Sequence, residues 1–264
     1  MKKVKMNNLT DMIWIEFRKA LRSKVPLWTI LGSLLMPLGV AFLVFVARNP
    51  ELSKKLGLIS VKADLVAYSA TDWSTYFGLV GMIIATAGFF LFVLVTSWVF
   101  GREFADGTVK DMLAVPVSRT SILASKFITA VIWSLTIALA MTIISVLMGF
   151  LLRLPGDTTQ VLLNGGMMVL ITALLCIATA LPFALIASVG RGYLLPLGAV
   201  VFTLLMANLI IMTGQGGFFP WSVPGIYAHD KTSLTTISYI LVILTCLAGA
   251  FFTDRWWHKA DQNR

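Results

Sequence analysis

Residues 73–101, WSTYFGLVGMIIATAGFFLFVLVTSWVFG, run for 29 positions between Asp72 and Arg102 without an Asp, Glu, Lys, Arg or His. A helix needs about 20 apolar residues to cross the roughly 30 Å hydrocarbon layer of a membrane. The stretch is therefore long enough for one crossing and too short for two. Working outward, runs free of Asp, Glu, Lys and Arg span 23 residues between Lys24 and Arg48, 26 between Lys126 and Arg153, and 33 between Asp157 and Arg191. Two more span 38 residues between Arg191 and Asp230 and 22 between Lys231 and Asp254. Each holds one crossing, the longest adding an uncharged connection. Inside hydrocarbon every backbone N–H and C=O must find a partner within its own segment, which selects helices. The ten-residue alternating segments of a membrane barrel are absent. The pattern predicts an all-α membrane protein with six transmembrane helices, near 26–47, 75–100, 122–152, 161–189, 193–213 and 234–253.

Composition agrees. Of 264 residues 58% are hydrophobic and 12% charged, against about 25% charged in a soluble domain. The formal charge of +9 follows the loops rather than one folded face, which argues for membrane topology and against nucleic acid as a partner. Cys176 and Cys246 fall inside spans and read as small packing residues. The first apolar run begins after Lys24 without a small-residue cleavage site, unlike a removable signal.

Retained loops on the cytoplasmic side carry an excess of Lys and Arg. With the N-terminus inside, fifteen cations lie on inner segments: Lys2, Lys3, Lys5, Arg18, Lys19, Arg22, Lys24, Arg102, Lys110, Arg119, Lys126, Arg191, Arg255, Lys259 and Arg264. Six lie outside: Arg48, Lys54, Lys55, Lys62, Arg153 and Lys231. Both termini are thus expected in the cytoplasm of a bacterial cell. Trp28, Trp73, Trp98, Trp221, Trp256 and Trp257 fall near span ends, where indoles favour the headgroup level. In segment 8–24, Leu9, Met12, Ile13, Phe17, Ala20 and Leu21 share one helical face, and Asp11, Arg18, Lys19 and Arg22 lie elsewhere. This is the pattern of an amphipathic helix lying in the membrane interface. The expected organisation is an interfacial helix in 1–25, a six-helix transmembrane domain in 26–253 and a cytoplasmic tail in 254–264.

The spans lack the Asp, Glu, His or Lys near mid-membrane that ion-coupled transport requires. Their polar content is hydroxyls, Thr142 and Thr179 among them, and the amide of Asn208; these three mark the expected substrate path. No G-x-x-x-x-G-K-[ST] phosphate loop occurs, and His229 and His258 stand apart from other metal ligands. No catalytic residue, metal site or cofactor is expected in this chain. Any power source lies in a partner.

One inner loop is unlike a plain connection. Residues 101–127 read GREFADGTVKDMLAVPVSRTSILASKF. Glu103 to Met112 suits a short helix, Gly107 marks a bend, Pro116 stops the segment, and Ser118 or Thr120 can cap the next span. The result is a firm elbow over 101–121, joined to two spans and able to pass force into the bundle. The loop resembles the coupling segment of permease subunits of ABC exporters of the second type, whose pattern is similar to E-x-x-x-G-T-x-K-x-L-x-x-P-x-S-R. The matching residues are Glu103, Gly107, Thr108, Lys110, Pro116, Ser118 and Arg119. Met112 and Leu113 stand at the apolar positions, Phe104 beside the acid, and Lys126 as the following base.

The resemblance implies that Glu103, Phe104, Gly107, Thr108, Lys110, Met112, Leu113, Pro116 and Arg119 dock on an ATP-binding-cassette ATPase subunit. ATP and Mg would be held by that subunit. It implies further a second permease, identical or related, and membrane lipid as partners. In the same family the outer segment TGQGGFFPWSVPGIYAHD, residues 213–230, lines an exit gate, here Phe218, Phe219, Pro220, Trp221 and Pro224. Its glycines and prolines break the fifth helix while the chain stays apolar, as expected of a re-entrant piece over 213–233 or of a simple interfacial anchor. Its Pro-Trp-Ser-x-Pro run resembles permeases of bacitracin and lantibiotic export or immunity systems. The function this implies is export of a hydrophobic or amphipathic molecule. The alternatives are a non-transporting sensor or immunity scaffold and an ion-coupled secondary transporter.

Overall fold

A computed structural model of the chain describes residues 8–49 and 72–259, and every regular element among these is helical. Helix α1 (Asn8–Arg22) leads into α2 (Val25–Ala47), which has Pro26 in its first turn, where a missing N–H costs no helical bond. Helix α3 (Trp73–Ile83) opens on a capping box. The Asp72 carboxylate accepts from the Thr75 N–H at 2.8 Å, and the Asp72 N–H donates to the Thr75 hydroxyl. The Thr75 N–H, together with the Thr75 hydroxyl donating to Asp72 Oδ1 at 2.8 Å, holds the Asp72 carboxyl below the usual carboxylate range. A π-helical turn (Ile84–Gly88) joins α3 to α4 (Phe89–Ala105). There follow α5 (Val109–Ala114), α6 (Arg119–Leu151), α7 (Thr159–Ala180), α8 (Phe183–Val189) and α9 (Leu194–Met212). The chain closes with α10 (Val223–Asp230) and α11 (Thr236–Lys259).

Six stretches are long and apolar enough to cross a membrane: α2, α3–α4, α6, α7–α8, α9 and α11. The sequence intervals land on all six. Two helices run further than expected, α4 to Ala105 and α11 to Lys259, because their polar ends bond to neighbouring helices. Lys2, Lys3, Lys5, Lys54, Lys55, Lys62 and Arg264 lie outside the described residues.

The core is built where α3, α4, α6 and α7 meet, around Tyr76, Phe77, Phe92, Ile137, Met141 and Ala173. Small residues let large rings enter. A Cβ on Gly149 would lie 2.3 Å from the Trp73 ring, and one on Gly165 would lie 2.0 Å from the Phe77 ring. Trp73 and Trp257 therefore differ from the headgroup role expected of them. They are 1% and 0% exposed, Trp73 slotted over Gly149 and Trp257 donating its indole N–H to Ser188 Oγ at 3.0 Å. Trp28, 66% exposed, stays on the surface.

Candidate functional site

The end of α4, the short α5 and the start of α6 form the elbow. Helix α4 stops in a Schellman arrangement. The Thr108 N–H reaches back to Glu103 O (2.9 Å) and the Gly107 N–H to Phe104 O (3.4 Å), with Gly107 left-handed at φ 70°. This corrects the single helix expected over Glu103–Met112. Gly107 divides it, leaving Glu103 on the spanning helix and starting α5 at Val109. Val115 is extended at ψ 139°, as a residue before proline prefers, and the Ser118 hydroxyl caps α6 by accepting from the Ser121 N–H at 3.1 Å.

Inside the elbow lies a ring of four charges. Lys126 Nζ, fully buried, donates to Glu103 Oε2 (2.7 Å), Val99 O (2.9 Å) and Glu16 Oε2 (3.5 Å). Lys19 Nζ closes the ring to Glu16 Oε1 (2.8 Å) and Glu103 Oε1 (3.1 Å). Two carboxylates thus alternate with two ammonium groups, and Lys126 has an acceptor for each of its three N–H donors. Burial pulls Lys19 toward a lower pKa, but Glu16 and Glu103 outweigh it and hold the ammonium above its ordinary value of 10.5. With the folded pKa raised, this stabilisation is complete below the unfolded value and fades only as pH climbs through the folded one. Lys19 therefore stays charged at neutral pH. The ring joins α1, α4 and α6 at one point.

The expected docking residues divide by direction. Lys110, Thr108, Gly107 and Pro116 face outward with Asp106 and Asp111, whereas Val109 and Met112 are buried and Leu113 is half-buried. Glu103, 4% exposed, is turned into the ring. The half-buried Phe104 packs against the rings of Trp256 and Trp257, with centroids 6.0 and 5.6 Å away. Arg119 donates to the carbonyls of Trp257 (2.8 Å) and His258 (3.3 Å), so a cation meets the end of α11 where the helix dipole is negative. A cavity of about 400 Å³ separates α1 from α5, lined by Met12, Ile15, Arg102, Asp111 and Val115 among others.

At the opposite end, residues 213–233 fold back among the helices. Gly214 is left-handed (φ 78°), a short 3₁₀ turn covers Gly216–Phe218, and α10 packs on α3 and α7. The Trp221 indole N–H donates to Thr179 O at 3.0 Å. That carbonyl belongs to the last turn of α7, just before the break at Pro182, where helix carbonyls lack a following N–H. Trp221→Phe keeps the ring and orphans the carbonyl. It should cost about 1–3 kcal/mol and raise amide exchange around 178–186, and unchanged exchange there would show that the bond carries no stability.

Phe219 stacks against Trp221 (5.2 Å), Pro220 is half-buried, Pro224 is buried and Phe218 is 65% exposed. Asn208 and Trp221 line a shared cavity of about 610 Å³ with Thr86, Leu204 and Ile226. Thr142 stands apart on α6, and its hydroxyl, like that of Thr179, bonds back to its own helix.

Glu16 and its bond partner Lys19 were not legible as site residues. The signal was present, since Met12, Glu16 and Ala20 are spaced by four and form the buried stripe of α1, each 4% exposed. An acid in the centre of an apolar stripe asks for a buried cation.

Six membrane-length helices, two of them locked at one end to an amphipathic lead-in helix, define a multi-pass membrane protein. The chain belongs to the ABC-2 transporter family: the model described as ABC-2 family transporter protein matches residues 12–208, from the buried face of α1 to Asn208 on α9. The chain is also 27% identical over 185 residues to the bacitracin transport permease protein of Bacillus licheniformis, an alignment covering 68% of this chain and 88% of that one. No solved structure matches it. Membership makes it a permease subunit of an ABC transporter in the cell membrane, and the family implies an ATPase partner.

Proposed function

We propose that the chain is the membrane half of an ATP-driven exporter of hydrophobic or amphipathic molecules, peptide antibiotics of the bacitracin kind included. The observation that carries this is the charge ring: one buried junction ties α1, α4 and α6 together directly behind the Gly107 turn that leads into α5. ATP and Mg bind the partner subunit, which meets the outward face of the elbow at Asp106, Thr108, Lys110, Asp111 and Pro116. Glu103 works behind that face, through the ring. Both termini lie on the cytoplasmic side, and a second permease completes the path across a two-fold axis. Closure of the ATPase moves the elbow as a rigid lever and opens the 213–233 segment outward. The relative's printed name supports the substrate class, as does the cavity at Asn208, whose mainly apolar wall carries polar groups at Thr86, His229 and Asp230, a mixture suited to an amphipathic molecule.

The test is co-purification of the chain with an ATP-binding-cassette ATPase from its own cells, followed by two variants. Lys110→Glu/Asp111→Lys should lose the ATPase while the chain still inserts. Gly107→Leu forces a left-handed backbone that costs about 1–2 kcal/mol; it should keep ATP hydrolysis and lose substrate-dependent efflux. Full efflux by both variants, or efflux that survives a hydrolysis-dead ATPase, would overturn the reading.

A further inference from the structure

The elbow end carries cations that no other described residue pairs. Lys19, Arg102, Arg119 and Lys126 all have acidic or carbonyl partners. Arg18, Arg22 and Lys24 are exposed, and their side chains have neither a hydrogen bond nor an ion pair among the described residues. They stand beside large apolar side chains that are open as well: Trp14 is 65% exposed, Leu21 72%, Leu27 58% and Trp28 66%. Trp14, Arg18 and Arg22 follow at intervals of four and so share one row of the helix, with Leu21 alongside. Indoles at headgroup level, guanidinium groups at the phosphates and an aliphatic side chain below match the depth profile of a charged bilayer surface. An acidic protein surface would satisfy the cations and leave the four apolar groups in water. The opposite stripe of the same helix is Met12, Glu16 and Ala20, and Glu16 sits in the ring with Glu103.

We propose that the Trp14–Arg18–Arg22 row of α1, with Lys24 just beyond it, binds anionic phospholipid headgroups and that, through Glu16 and Lys19, this contact makes turnover depend on membrane charge. The second half rests on the coupling role proposed above. A first experiment needs no ATPase. The full chain, purified in mild detergent, is offered equal phosphatidylglycerol and phosphatidylcholine, and retained lipid is read by native mass spectrometry. The chain should prefer phosphatidylglycerol, and Arg18→Gln/Arg22→Gln/Lys24→Gln should lower that preference at least about fivefold, the effect of a single surface cation. Arg255→Gln/Lys259→Gln, at the same end but on α11, should leave it unchanged. Equal retention by the triple variant overturns the lipid site.

The second experiment places the complex with its ATPase in vesicles of phosphatidylcholine, with or without phosphatidylglycerol. Turnover of the natural chain should rise with the anionic lipid and that of the triple variant should stay flat. A loss of the same size in both vesicles means that the cations meet the partner protein and overturns the proposal. A complex without any coupled hydrolysis removes the coupling role itself, while the retention experiment still decides the lipid contact.

Discussion

Glu103→Ala should destabilise the permease by about 3–5 kcal/mol, the cost of removing one partner from a buried ion pair. The substitution leaves the Lys126 ammonium without its 2.7 Å partner, fully buried, with Glu16 3.5 Å away as its remaining carboxylate. Glu103→Lys should be worse, since it places a third ammonium in a space arranged for two. The decisive comparison is the pair Glu103→Gln/Lys126→Met, which removes both charges and keeps the approximate volume. Such exchanges are often neutral, so the pair should melt well above Glu103→Ala in detergent. Glu16 and Lys19 then still pair at 2.8 Å. A Glu103→Ala protein that melts with the natural one would show that water, rather than Glu103, solvates Lys126. Loss of efflux in the pair despite recovered stability would separate the mechanical role of the ring from its structural one.

The six spans were legible because hydrocarbon imposes a length and forbids charge, and both properties can be counted along a chain. The elbow was legible in part. Gly107 and Pro116 announced a bend and a stop, but whether Glu103 belonged to the span before the bend or the helix after it depended on the left-handed turn at Gly107. The ring was hidden for another reason. Its four members lie at 16, 19, 103 and 126, so its pairing is a tertiary fact, and an acid within an apolar stripe is easily assigned to the solvated side. The tryptophans failed in the same way. Trp73 and Trp28 both sit at span ends in sequence, but Gly149 opens a slot for one and nothing comparable covers the other. Periodicity separates membrane from water well. It does not separate lipid from protein.

The two ends of the molecule are built from different materials. Around the 213–233 segment the hydrogen bond from Trp221 to Thr179 O is joined by apolar, glycine-mediated contacts such as Gly81 against Ala228, and contacts of the second kind can slide. At the elbow the contacts are ionic and directional, and they hold register. A lever with a stiff input and a compliant output is suited to transmitting a fixed stroke to a mouth that opens around molecules of varied shape.

Gly101→Ala tests whether that stiffness depends on one seam. Gly101 lies two residues before Glu103 and faces the turn that closes α8, where the Gly192 N–H bonds Ala187 O and Arg191 is left-handed at φ 50°. A Cβ at 101 would stand 2.7 Å from the Gly192 carbonyl carbon and 2.8 Å from its oxygen. Those are backbone atoms and have no rotamer by which to step aside. The added methyl must push α4 and the α8 turn apart, at an overpacking cost of about 1–3 kcal/mol, and Gly101→Leu should exceed it. Because the displaced backbone carries Glu103, the same methyl should draw its carboxylate away from Lys126 and lower coupled efflux further than the lost stability explains. Gly166→Ala is the control. It lies inside α7 with no atom within 4 Å of the new Cβ, so helix propensity alone should stabilise it by about 1 kcal/mol. The two glycine-to-alanine changes are therefore expected to shift the melting midpoint in opposite directions. If Gly101→Ala moves with Gly166→Ala, α4 and the α8 turn are free to part, and the elbow is not the rigid input that the charge ring implies.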